Sequence, residues 1–150
     1  GGGNEQFKEY LTNVAIENKV TDRFHFYGPV GSHEVTSYIQ SADLGIAPIE
    51  NVCLSYYFCA PNKVFEYIQG GIPVVSSNFP DMESVVLANE IGEVFDPESF
   101  ENIAETINEL LTDTPKLKTC SENVKKLADT YKWENEEQKL IELYANLFNL

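Results

Sequence analysis

Lys63 and Glu66 are the side chains in this sequence whose types and spacing best suit chemistry. They lie in the stretch Ala60-Pro61-Asn62-Lys63-Val64-Phe65-Glu66-Tyr67-Ile68-Gln69-Gly70-Gly71-Ile72-Pro73-Val74-Val75. A helix is predicted to start at Pro61, because proline is pre-shaped for the first helical position and gives up only an amide that would be unpaired there. Gly70-Gly71 stops that helix, and Pro73 marks a short buried run, Ile72 to Val75, that reads as a strand. Such a start leaves the amides of Asn62 and Lys63 free at a positive helix end, where anions bind readily. Lys63 is out of place on helix electrostatics alone, since a cation there opposes the macrodipole by about 0.3–1 kcal/mol. Glu66 follows one turn later on the same face. From there a carboxylate can accept hydrogen bonds from sugar hydroxyls while the helix end holds a phosphate. The plainer account is a surface Lys63–Glu66 pair at i, i+3 spacing, worth roughly 0.2–0.5 kcal/mol. Spacing alone tilts toward that plainer account.

Other candidates come from strand ends, because open parallel sheets bind ligands beyond the carboxyl ends of their strands, at a switch in strand order. Three turns qualify: Tyr27-Gly28-Pro29-Val30, Pro48-Ile49-Glu50 and Ser76-Ser77-Asn78. Gly28 would let backbone approach a flat ligand such as a base, and is equally explained as a turn glycine. Ser76 and Ser77 can hydrogen-bond a ligand, although turn or capping duty is the commoner use. The loop aromatics Tyr56-Tyr57-Phe58 either stack on a sugar or base or, more simply, plug a long loop.

The elements that must position these residues follow from periodicity and punctuation. Asn4 to about Asn18 carries Phe7, Tyr10, Leu11, Val14 and Ala15 at helical spacing. Phe24-His25-Phe26-Tyr27 is expected to be a strand ended by Gly28-Pro29. Ser32 is expected to cap a helix with Glu34 and Val35 in its first turn and Val35, Tyr38 and Ile39 on its buried stripe. Leu44 to Ala47 reads as a strand closed by Pro48, with a loop from Ile49 to Ala60. Asp81 to Ala88 is a short helix and Glu93-Val94-Phe95 a last strand. Asp96-Pro97-Glu98 starts a helix with Phe100, Ile103, Ala104, Ile107, Leu110 and Leu111 inward. Pro115 opens another helix, and Trp133 precedes a final one ending at Leu150. Alternating strands and helices through residue 111 predict an α/β fold: a Rossmann-like, doubly wound parallel sheet with a helical C-terminal extension.

Composition narrows the partners. A chain of 150 residues suits one domain, and 43% hydrophobic with 23% charged residues is ordinary for a globular protein. The formal charge of −14 is not ordinary. It argues against nucleic acid, whose binders need clustered cations, and against docking on an anionic membrane through overall charge. A phosphate-bearing ligand needs a local cationic or amide-lined pocket in that field. Cys53, Cys59 and Cys120 have no Cys-x-x-Cys spacing, and His25 and His33 lie far from them, so no metal site is indicated. No apolar run of about 18 residues occurs, no signal peptide opens the chain, and a cytoplasmic location is expected.

The stretch from Ala60 to Val75 resembles the donor-binding helix of group 1 (family 4) glycosyltransferases, in their branch with Pro-x-Lys-x-x-Glu-Tyr before Gly-x-Pro-Val-Val. Further resemblances occur in the same order: Gly1-Gly2-Gly3 with Phe7 to Leu11, Arg23 to Val30, Tyr38 to Pro48, Ile91 to Phe95, and Tyr131 to Glu134. The resemblance implies the C-terminal, donor-binding half of a GT-B fold across residues 1–150. The first strand and the N-terminal acceptor domain of the same polypeptide would lie outside the chain, and the complete enzyme would be cytoplasmic or peripheral at the inner membrane face. It implies Lys63 and Glu66 as catalytic residues, with Gly28, Pro29, Phe58, Asn62, Lys63, Glu66, Ser76 and Ser77 binding substrate. Glu66 would grip the ribose of a nucleotide-diphosphate sugar, and the Asn62–Lys63 backbone the diphosphate, with no other cofactor and no metal. Many family members carry a Glu-x7-Glu pair. Here Phe58 stands where the first glutamate would be, with Glu50 a weak substitute, so sugar identity and retaining stereochemistry are left open. Two rivals remain: a nucleotide-sugar epimerase or hydrolase half-domain, and a non-catalytic, flavodoxin-like nucleotide-binding module.

Overall fold

Val74-Val75-Ser76-Ser77 places apolar and small side chains on both faces of an extended segment, which suits the middle of a parallel sheet covered on two sides. In the computed structural model, which describes residues 4–148, this is β2 (Val74–Ser77), and all of it is buried. β1 (Gly45–Ala47) and β3 (Gly92–Phe95) flank it in parallel, in the order β1-β2-β3. Gly45 stands opposite Val74, and Val74 opposite Gly92. The helices are α1 (Glu5–Glu17), α2 (Val35–Ile39), α3 (Leu54–Tyr57), α4 (Asn62–Gly70), α5 (Pro80–Ala88), α6 (Phe100–Thr112), α7 (Thr114–Ala128) and α8 (Trp133–Phe148).

The chain divides into two units, one up to Val35 and one from Thr36 onward. In the first, Asn4 caps α1 by accepting a hydrogen bond from the Phe7 amide (2.7 Å), and only Ala15 of that helix is buried. The expected strand at Phe24–Tyr27 does not form among the described residues. The chain there keeps the alternation of an extended segment, with the Phe24 and Phe26 rings 4.9 Å apart, but it pairs in no sheet. Residues 32–34 form a turn rather than the start of a helix, and α2 begins at Val35. The Glu34 carboxylate accepts the Gly31 amide at 3.1 Å, which occupies the side chain expected in a first helical turn. The glycine turn expected at Gly1-Gly2-Gly3 lies outside the described residues.

In the second unit the sheet separates two apolar clusters. Val64 and Ile68 of α4 and Met82 and Val86 of α5 pack with Ala47, Val74 and Ile91 on one face. Leu110 of α6 packs with Val75 and Phe95 on the other, supported by Ile103 and Ile107. Thus neighbouring valines of β2 serve opposite cores, as period-two alternation requires. α7 joins both, through Val124 in the first cluster and Cys120 in the second. Close approach of β3 to β2 depends on glycine. A Cβ built at Gly92 would lie 1.6 Å from the Val74 carbonyl oxygen.

Two helical expectations need correction. α6 begins at Phe100, not Asp96, because Ser99 accepts the Asn102 amide (3.1 Å) while Asp96 to Glu98 closes a turn on the Asp96 carboxylate. With that start the inward stripe is half-buried Ile103 and Ile107 with buried Leu110, whereas Phe100, Ala104 and Leu111 are exposed. The final helix includes Trp133 as its first residue, and none of α8 is buried. Among the described residues no helix is long and apolar enough to cross a membrane.

The three thiols have graded environments: Cys53 exposed, Cys59 half-buried, Cys120 buried. Burial also pushes the Cys120 thiol up from its ordinary value. A thiol-disulfide reagent should therefore label Cys53 first and Cys120 only on unfolding, since thiolate fraction and access both govern the rate. Mass spectrometry of timed samples checks this order, and early labelling of Cys120 would contradict the packing of α7.

Candidate functional site

Helix α4 follows β1 and precedes β2, so its N-terminus lies toward the carboxyl edge of the sheet. Pro61 is its N-cap, with extended backbone (φ −69°, ψ 144°), so the helix starts at Asn62, one position later than the sequence predicts. Its carbonyl accepts the Val64 amide at 3.0 Å, and no side chain caps the helix. The first turn contains no acid to offset the positive helix end. Val64 and Ile68 point into the core, and this turns Asn62, Lys63 and Glu66 outward.

The ion pair that would have given Lys63 and Glu66 a merely structural role is absent. Among the described residues no salt bridge joins them to each other or to anything else. An exposed cation and an exposed carboxylate therefore stand one turn apart on a helix whose other face is fixed in the core. A phosphate at the helix end would meet both free amides and the ammonium group, and Glu66 would meet hydroxyls.

The remaining contacts hold that helix still. At its end Gly71 adopts a left-handed conformation (φ 74°), and the Ile72 amide donates to the Tyr67 carbonyl at 3.2 Å, closing the terminal turn. Tyr67 crosses β1, and its hydroxyl donates to the Ile46 carbonyl at 3.0 Å. The crossing is possible because Gly45 has no side chain, since a Cβ there would lie 2.3 Å from the Tyr67 ring. Burial first, and then the neighbouring charge of Glu66, raise the Tyr67 phenol above its ordinary value. The phenol thus stays protonated, and able to donate to Ile46, beyond the usual tyrosine range.

Ser76 and Ser77 lie within β2, not in a turn beyond it, and both are fully buried. The Ser77 hydroxyl accepts from the Ile49 amide and donates to the Ile49 carbonyl, each at 2.8 Å. It therefore pins the loop leaving β1 to β2. Among the described residues the Ser76 hydroxyl makes a long 3.4 Å contact to the Ser77 carbonyl. The aromatic loop divides its duties. Tyr57 is the plug, with its ring 5.2 Å from buried Phe79, while Phe58 stands edge-on to Tyr57 at 4.9 Å and is 59% exposed. Glu50 is exposed on the same loop. Gly28 and Pro29 belong to the first unit. Gly28 has φ 76°, a left-handed conformation that favours glycine, with nothing within 4 Å of where a Cβ would stand.

Tyr67 and Gly45 were not foreseen as framing residues. A glycine inside the apolar run Leu44–Ala47 was the available signal, because such a glycine marks close approach by another group.

The family of glycosyl transferases group 1 matches residues 1–127. A D-inositol 3-phosphate glycosyltransferase of Corynebacterium urealyticum is 26% identical over 147 residues, covering 98% of this chain and 33% of the relative. A sucrose-phosphate synthase of Thermosynechococcus elongatus superposes with a TM-score of 0.82 at 22% identity, over 99% of this chain and 37% of the synthase. The lipopolysaccharide glycosyltransferase WaaG gives 0.69 at 23% identity, over 90% and 35%. The chain thus spans about a third of the length of each. These likenesses give it the Rossmann-like α/β fold of the GT-B type, with its helical C-terminal extension.

Proposed function

The chain belongs to the group 1 glycosyl transferases, and on that premise we propose that the outward face of α4 binds a nucleotide-diphosphate sugar for hexosyl transfer in surface glycan synthesis. Glu66 accepts hydrogen bonds from the ribose hydroxyls. The amides of Asn62 and Lys63, with the Lys63 ammonium, take the diphosphate. As the glycosidic bond breaks, charge grows on the departing nucleoside diphosphate, and fixed amides and a cation aimed at it lower the barrier. Phe58 flanks the transferred sugar, and the buried Ser77 hydroxyl, with Ser76 beside it in β2, holds the β1 exit loop through Ile49. The acceptor sits in a further domain of the same polypeptide, and the enzyme works on the cytoplasmic side.

One observation carries this reading: Lys63 and Glu66 are both exposed, and neither is in an ion pair among the described residues, on a helix anchored in the core. Calorimetric titration with uridine diphosphate, guanosine diphosphate and flavin mononucleotide tests it. One of the diphosphates should bind saturably. Glu66→Ala should weaken that binding about 10- to 100-fold, the worth of a hydrogen bond to a charged group. Its melting temperature should stay unchanged, because the exposed Glu66 side chain makes no hydrogen bond or ion pair among the described residues. A large fall in melting temperature with unchanged affinity would refute the assignment. Flavin binding instead would point to a non-catalytic module.

A further inference from the structure

The last turn of α4 makes a connection that nucleotide binding does not itself require. The Gln69 side-chain amide donates to two carbonyls, Ala128 at 2.9 Å and Tyr131 at 3.2 Å. Ala128 ends α7, so its carbonyl has no partner within that helix. One amide from another helix thus satisfies it together with the carbonyl of the corner leading into α8. The Phe65 ring, one turn earlier on α4, packs 5.3 Å from the Tyr131 ring. Tyr67 grips β1, while Gln69 and Phe65 grip the corner between α7 and α8. Two anchorages of this kind fix a helix against rotation and tilt, which a single apolar stripe resists only weakly. Gln69 lies roughly 9 Å along the axis from Lys63, at 1.5 Å per residue, so a small tilt at one end displaces the other.

We propose that Gln69 is a positioning residue for the nucleotide-diphosphate site: by tying α4 to the α7–α8 corner it keeps the Asn62–Glu66 turn aimed at the ligand. This rests on the donor-site reading of α4. Gln69→Leu removes both donors at similar volume, whereas Gln69→Lys keeps a donor group and suits a helix C-terminus. Each chain is titrated with uridine and guanosine diphosphate well below its melting temperature, and amide hydrogen exchange along residues 64–68 is followed without ligand. Gln69→Leu should weaken diphosphate binding about 3- to 10-fold, the usual range for residues that act at a distance, and should speed exchange in α4. Gln69→Lys should restore both to near the parent values. Gln69→Asn, whose amide is one methylene short, gives the same readings should the leucine chain not fold. Unchanged affinity in a Gln69→Leu chain that merely melts earlier overturns the proposal, as does equal loss in the leucine and lysine chains. If the parent chain binds neither diphosphate, the donor-site reading fails. The exchange measurement then decides the anchorage alone: unchanged exchange in Gln69→Leu refutes it, and faster exchange upholds it.

Discussion

Lys63→Ala, placed in the complete enzyme, should slow sugar transfer roughly 10²- to 10³-fold, the usual loss when one preorganised charge-stabilising group is removed. The stability effect should have the opposite sign. Lys63 is exposed and makes no ion pair among the described residues, and its charge sits at the positive end of α4. Its removal relieves a repulsion of about 0.3–1 kcal/mol, so the melting temperature should hold or rise slightly. Few truncations combine lost rate with unharmed or improved stability, and that combination is the diagnostic result. Steady-state kinetics beside a thermal melt reads both. The chain's −14 charge sharpens the expectation, since a diphosphate approaching so acidic a body depends on local cations. A rate within threefold of the parent would place the charge stabilisation on groups other than Lys63.

Gly92→Ala should destabilise the fold by more than about 3 kcal/mol, in the range where overpacking becomes exceptional. The intruding atom would meet the backbone carbonyl of Val74 at 1.6 Å, and a backbone carbonyl in a paired strand cannot rotate aside as a side chain would. The β2–β3 pair would have to separate, with loss of the Val74 amide bond to Ile91 (3.0 Å) and disturbance of both apolar clusters. Set against a typical total of about 5–15 kcal/mol, that leaves a marginal domain. Urea denaturation gives the number. A midpoint close to the parent's would mean that β3 can shift along β2 at little cost.

The residues that could be read in advance were those whose local chemistry and tertiary role agree. Pro61, Gly70-Gly71 and the Val74-Val75 run gave α4 and β2 to within two residues at each end, because capping and burial both acted there. Lys63 stood out because a cation at a helix N-terminus opposes the macrodipole, whereas the i, i+3 spacing to Glu66 favoured a surface ion pair that does not form among the described residues. Periodicity failed where a pattern had no partner. Phe24 to Tyr27 alternates as a strand should, but alternation supplies no neighbouring strand to bond with. Ser76 and Ser77 were misplaced because buried serines resemble turn serines until the hydrogen bonds to Ile49 are known. Phe100, Ala104 and Leu111 were assigned inward with Ile103, Ile107 and Leu110, but the sheet covers only a narrower stripe of α6 and leaves those three exposed. Gln69 gave no sign at all, because its partners lie about sixty residues away in the sequence.

The strand order β1-β2-β3 follows the chain, and each strand reaches its neighbour across a segment that holds the crossover helix. Pairing therefore closes only modest loops, and the entropy lost at each closure is recovered before the next begins. A topology that sends its central strand to the end of the chain must hold an open edge until synthesis is done. Here β2 can dock on β1 while α6 and α7 are still being made, and β3 then shields it from stray partners. Among the described strands this order thus lets β2 gain both neighbours while the later helices are still emerging, which shortens the time its unpaired edges are bare.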